Sequence, residues 1–303
     1  MKRKYLKHTF ALTFMPLLIA SLSGCNQNEE PTPTPTPDPY SEYYKEAQGK
    51  TGQELKNALR QIIDHDTPLQ YADLAKFYTE TDTALDGNTN HFVLFYTGEV
   101  VSNKMTDEDY VPWGDDATNP YVLNKEHVWP QSRFRVYGSM SNPNQYGKAA
   151  NPGPATDIYN VRPCNAKVNG DRSNYFYAEG NGNVFDPVTD AVDPDTLEPI
   201  GKAEFRGEIA RILFYCATRY EKLSLIEDVD ASTTKSGGSN EMGHLSTLLK
   251  WHLANAVNDR EKARNDAGQE IQGNRNPFVD HPEYACKIYG NYNEATRSVC
   301  GLV

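Results

Sequence analysis

Residues 124–132 read NKEHVWPQS, with a carboxylate and an imidazole side by side at Glu126 and His127 and a Trp-Pro pair close behind. Consecutive side chains of a strand point to opposite faces. For both residues to serve one site, the backbone at 126–127 is expected to leave regular strand, in a strand end, bulge or loop closed by Trp129-Pro130. The stretch lies within residues 112–163, rich in Gly, Pro and Asn and poor in periodicity. Long irregular segments inside a compact domain commonly carry function.

Outward from this segment the periodicity is stronger. Thr51 can cap a helix whose Leu55, Ala58, Leu59, Ile62 and Ile63 share a face. NHFVLFYTGEV, residues 90–100, is rich in β-branched and aromatic residues and predicts a strand. Residues 205–223 repeat Ile209, Ile212, Leu213, Cys216 and Tyr220 at helical spacing, so the apolar part of GEIARILFYC is core. Residues 243–267 predict one further helix, with Leu245, Leu248, Leu249, His252 and Ala256 inward. Helices flank a few central strands, which predicts a helix-rich, single-domain α+β fold.

The N-terminus is of another kind. MKRKYLKHTFALTFMPLLIASLSGC has a basic start, about 12 apolar residues and small residues before Cys25, which fits a secretory signal over 1–24. LSGC resembles a bacterial lipobox, which makes Cys25 the expected lipidation site and places the protein on the cell envelope, at the outer membrane or cell surface. The Pro/Thr-rich residues 25–39 predict an extended tether, leaving 40–303 as the folded domain. Cys164, Cys216, Cys286 and Cys300 remain, an even number in an oxidising compartment. Of three connectivities, Cys286–Cys300 closes a short loop and comes first, leaving Cys164 with Cys216. No CxxC or Cys/His zinc spacing occurs, which argues against thiolate metal binding.

Net charge is −11, and −15 without residues 1–24, which hold four Lys/Arg and no acid. That balance opposes a polyanionic partner. Locally it reverses. Between Asn124 and Tyr175, seven basic residues (Lys125, Arg133, Arg135, Lys148, Arg162, Lys167, Arg172) face three acids (Glu126, Asp157, Asp171). A basic cleft screened from distant acids would admit a phosphate-bearing substrate. Within TDIYNVRPCNAKVNGDRSNYFY, residues 156–177, Pro163 fits a first helical turn and Asn165 and Asn169 would share a face. One carboxylate and one amide oxygen suffice for Mg2+, which keeps several waters. A neutral imidazole is a natural base for water, and Arg suits phosphate oxygens. These parts suffice for metal-assisted phosphodiester hydrolysis.

EHVWPQS, DIYNVRP, VNGDRSN, GEIAR and QGNRNPF, five ordered blocks over residues 126–278, resemble the signature of the bacterial endonuclease I family, which carries a ββα-metal finger. The resemblance implies that His127 is the general base and that Glu126 and Asn169 ligate Mg2+, with Ca2+ or Mn2+ as substitutes. It also implies 5′-phosphate products from DNA, with RNA an open second substrate, and little sequence preference. Arg172 is the first choice for the phosphate, Arg162 the second, with Lys167 beside them. Asn160 either bonds backbone in a turn or orients the site. Tyr159 stands where the family often has His. Arg162 and Arg172 could instead pair with Asp157 and Asp171. His244 and His252 fit packing or surface roles; Arg275, Asp280 and His281 fit a C-terminal turn. A monomer is expected. The rival readings are a non-catalytic nucleic-acid-binding lipoprotein on the same scaffold, and a peptidase or esterase, for which neither HExxH nor Gly-x-Ser-x-Gly is present.

Overall fold

Ile209, Ile212, Leu213 and Cys216 lay an apolar stripe along a helix at Glu204–Arg219, yet burial extends all round it, to Phe205, Ala210, Phe214, Tyr215 and Ala217. A helix buried on every side must neutralise its own polar residues. It does so in pairs: Glu208 takes Arg162 and Arg260, Arg211 takes Glu261, and Arg219 takes Asp157. The computed structural model describes residues 38–65, 67–137, 153–180, 184–227 and 240–302. The signal, Cys25, nearly all of the tether, Lys148 and the Arg135 side chain lie outside them.

Among the described residues the helices are α1 (Gly52–Ile63), α2 (Tyr78–Thr81), α3 (Ala166–Arg172), α4 (Pro187–Asp190), α5 (Glu204–Arg219), α6 (Leu245–Ala254), α7 (Asp259–Gln272), α8 (Pro277–Asp280), α9 (Tyr284–Tyr289) and α10 (Glu294–Val299). Four strand pairs accompany them: β1 (His91–Val93) with β2 (Val100–Ser102), β3 (Leu123–His127) with β4 (Val161–Asn165), β5 (Phe176–Tyr177) with β6 (Val184–Phe185), and β7 (Ser224–Leu225) with β8 (Glu241–Met242). The fold is α+β, with α5 packed against α1, α6 and α8. The antiparallel β3–β4 pair runs directly into α3, which packs back across it to form the ββα unit.

Several elements differ from the sequence-based expectation. Residues 90–100 form a hairpin limb and turn: β1 stops at Val93, Tyr96 and Gly98 adopt φ +74° and +71°, and β2 begins at Val100. Residues 243–267 are two helices, because Asn258 starts α7 with a reciprocal capping box to Glu261. Pro163 lies in β4, where its carbonyl accepts Phe95 N–H at 2.8 Å, and Asn165 is the N-cap of α3. Cys286 and Cys300 are bonded, but Cys164 and Cys216 are free and buried. Cys164 Sγ turns from β4 toward Phe95 O at 3.7 Å, whereas Cys216 packs within α5, and burial pushes both thiols well above their usual range.

Candidate active site

β3 keeps its register through the opening motif, with Glu126 opposite Arg162 and His127 opposite Val161. No bulge or loop interrupts residues 126–127; of the three expected forms only the strand end is found, at His127. Cross-strand pairing holds the backbone extended, and Glu126 and His127 serve separate partner sets. β3 ends at His127. Val128 N–H then donates to Asn160 O at 3.0 Å, and Trp129 N–H to Asn160 Oδ1 at 2.7 Å.

Glu126 is buried. Tyr96 Oη donates to its Oε1 at 2.5 Å, and Arg172 Nε stands 3.1 Å from the same oxygen. Tyr177 Oη closes the cluster, 2.7 Å from Tyr96 Oη and 2.9 Å from Arg172 Nε. Burial pushes the Glu126 carboxyl up to about 7, against the opposing pull of Arg172 and the Tyr96 hydroxyl. The left-handed φ of Tyr96 aims its phenol inward, a conformation that costs on the order of 1–3 kcal/mol in a non-glycine residue.

His127 is 6% exposed and fixed on both ring nitrogens. Nε2 lies 3.0 Å from Ala155 O, and Gln131 Nε2 approaches Nδ1 at 3.0 Å. A carbonyl only accepts, so Nε2 carries the proton and Nδ1 presents the lone pair. Tyr71 stacks on the ring at 5.6 Å and 13°. Burial, with Lys125 nearby, lowers His127 to about 4 and keeps it neutral near pH 7.

Asn169 sits in α3, one turn before Arg172. Its Nδ2 donates to Asn124 Oδ1 at 2.6 Å and more weakly to Lys125 O at 3.4 Å, so the amide oxygen is the edge left for a cation. Glu126 and Asn169 offer hard oxygens, a carboxylate on β3 and an amide on α3. Among the described residues no group of three His, Cys, Asp or Glu could hold a metal. This sparse oxygen set fits a cation such as Mg2+ that retains its own waters.

The other expected site residues are committed to partners within the protein. Arg162, expected at substrate, is buried between Asp82 Oδ1 (2.7 Å) and Glu208 Oε2 (3.0 Å), and its guanidinium lies 4.3 Å from the Phe95 ring. Arg172, expected at the phosphate, is fully buried, with donors on Tyr177 Oη, Ser173 O and Val128 O. Lys167 pairs with Asp171. Asn160 bonds backbone: its Nδ2 donates to Trp129 O at 3.2 Å and to Pro154 O at 2.8 Å, tying together the segments on either side of His127. Three of the seven cations expected in the basic cleft, Arg162, Lys167 and Arg172, are thus paired with internal acids. Tyr159 turns away from the site, donating to Asn274 O at 2.7 Å beside α7. Sequence reading missed Tyr71, Tyr96, Tyr177 and Gln131. Gln131 falls in the block EHVWPQS, and Tyr177 and Tyr96 in the quoted stretches 156–177 and 90–100, whereas Tyr71 lies in none.

Residues 51–283 match the family model described as Endonuclease I. The chain is 36% identical to an extracellular ribonuclease of Bacillus amyloliquefaciens, over 82% of this chain and 78% of the relative. It is 34% identical to an extracellular ribonuclease of Bacillus subtilis (strain 168), over 83% and 80%. A periplasmic deoxyribonuclease of Aeromonas hydrophila is 26% identical over 71% and 89%. With a family match across most of its length, and with Glu126, His127 and Asn169 gathered at the ββα unit, the chain belongs to the endonuclease I family and is a nuclease.

Proposed function

We propose that this nuclease is a metal-dependent, largely sequence-non-specific endonuclease of extracellular DNA, with RNA a second substrate class, leaving 5′-phosphates. The observation that carries this reading is the His127 ring, held by Nε2–H to Ala155 O so that Nδ1 is the acceptor. His127 takes the proton of the attacking water at Nδ1, where the water replaces the Gln131 amide that stands 3.0 Å away. A phosphate entering beside it raises its basicity from the low value that burial imposes. Glu126 and Asn169 would hold the cation, Mg2+ with Ca2+ or Mn2+ as substitutes, which neutralises charge on the phosphate and stabilises the leaving 3′ oxygen. Arg172, Tyr96 and Tyr177 fix the Glu126 carboxylate and act as positioning residues. Asn160 does the same for the His127 turn.

Supercoiled plasmid offered to metal-stripped protein tests the metal. Mg2+ should restore cleavage, EDTA should abolish it, and Asn169→Ala should raise the Mg2+ needed. Cleavage indifferent to EDTA and to N169A would contradict it. The mature chain is further proposed to act as a monomer held at the envelope by lipid on Cys25. Cys25→Ser should release it into the soluble fraction, and retention of that variant in membranes counts against the anchor.

A further inference from the structure

Trp113 is 36% exposed, whereas the other two tryptophans, Trp129 and Trp251, are 0% and 1% exposed. Its inner face rests on the core, with ring centroids 6.4 Å from Phe92 at 10° and 5.7 Å from Tyr78 at 28°. Its backbone is tied to the start of β3: Gly114 N–H donates to Leu123 O and Leu123 N–H to Pro112 O, each at 2.8 Å. The indole is therefore a fixed, outward-facing platform.

A continuous line joins it to His127. Lys125 Nζ lies 5.7 Å from the Trp113 ring centroid and 4.6 Å from that of Tyr71, whose ring stacks 5.6 Å from His127. Lys125 and His127 alternate along β3 and so share one face of it.

The geometry points to a subsite for single-stranded nucleic acid in which the outer face of Trp113 stacks a base near the scissile phosphate and Lys125 takes an intervening phosphate. This rests on the endonuclease reading above and deepens it by naming the substrate class. Charge alone gives the chain little hold on a polyanion: its net charge is −11, and Arg162 and Arg172 are committed internally. Stacking supplies attraction that needs no net charge, and it requires a base already out of a duplex.

The test uses the processed full-length chain at low salt in EDTA, where the proposed reaction cannot proceed. The probes are labelled oligo-dT and oligo-U and a duplex of equal length. Both single strands should quench tryptophan emission saturably, because Trp113 alone among the tryptophans is open to them. Trp113→Ala should weaken single-strand binding about tenfold by anisotropy. Trp113→Phe should keep it within about threefold, and duplex binding should change little in either variant. If the alanine variant fails to fold, Trp113→Leu, which keeps apolar bulk without a flat ring, should show the same loss. Single-strand binding by W113A, or by W113L in its place, equal to the wild type would overturn the subsite while leaving the endonuclease reading intact. Wild-type protein that binds neither single strand would likewise overturn the subsite, whatever it does with the duplex, whereas the plasmid assay with Mg2+ separately tests the endonuclease reading.

Discussion

Arg172 Nε stands 3.1 Å from Glu126 Oε1, and neither side chain reaches solvent to any extent. Removing one partner of such a pair strands the other charge in the interior, which typically costs about 3–5 kcal/mol. Arg172→Met should lose that much in urea unfolding at pH 7. Because Arg172 also holds Val128 O at 2.9 Å, the variant should lose activity even at temperatures where it stays folded. A stability change under about 1 kcal/mol would show that the Tyr96 and Tyr177 hydroxyls hold Glu126 unaided.

Burial holds both His127 and His252 down to about 4. An unfolded chain's imidazoles titrate near ~6.5. Between those values the unfolded state binds more protons, so this contribution is complete above the unfolded pKa and is lost as pH falls toward 4. Glu126, pushed up to about 7, works in the opposite sense and lowers stability as pH rises from its ordinary 4.5 toward 7. His252→Gln isolates one term. Its loss of stability between pH 7 and 4 should be smaller than the wild type's by about 3 kcal/mol. Equal losses in calorimetry would contradict a neutral, buried His252.

Gly268 lies against Tyr159 so closely that a Cβ there would sit 2.4 Å from the Tyr159 Oη. Gly268→Ala should therefore destabilise by about 1–3 kcal/mol. Tyr159→His shortens the side chain, so the double variant should lose measurably less than the sum of the two single variants. Strict additivity in the double-mutant cycle would separate the two positions.

Thiol chemistry should divide the four domain cysteines cleanly. Cys164 and Cys216 should be alkylated only after unfolding, and the partly exposed Cys286 and Cys300 only after reduction. Peptide mapping by mass spectrometry reads this directly. Cutting the Cys286–Cys300 bond should cost roughly 3 kcal/mol by loop entropy.

The α5 core was legible because apolar spacing survives in a helix however deeply it is buried. The α3 cap, the hairpin at Tyr96 and the break before α7 turn on single residues whose φ or capping bonds periodicity does not register. Glu126, His127 and Asn169 stood out in the sequence, and they fall on β3 and α3 of the ββα unit. The destinations of Arg162 and Arg172 were not, because Asp82 and Glu208 lie 80 and 46 residues from Arg162 and charge density along the chain does not say which cations face inward. Tyr71 and Tyr96 likewise reach the site only through tertiary packing.

The central claim is that His127 Nδ1 activates the water. The most direct measurement is cleavage of supercoiled plasmid and of a defined RNA by His127→Ala in saturating Mg2+, beside a Mg2+ binding isotherm and a melting curve for the same protein. The account predicts at least a ~100-fold loss of rate, with metal affinity and cooperative unfolding retained. Cleavage by H127A at the wild-type rate would contradict it.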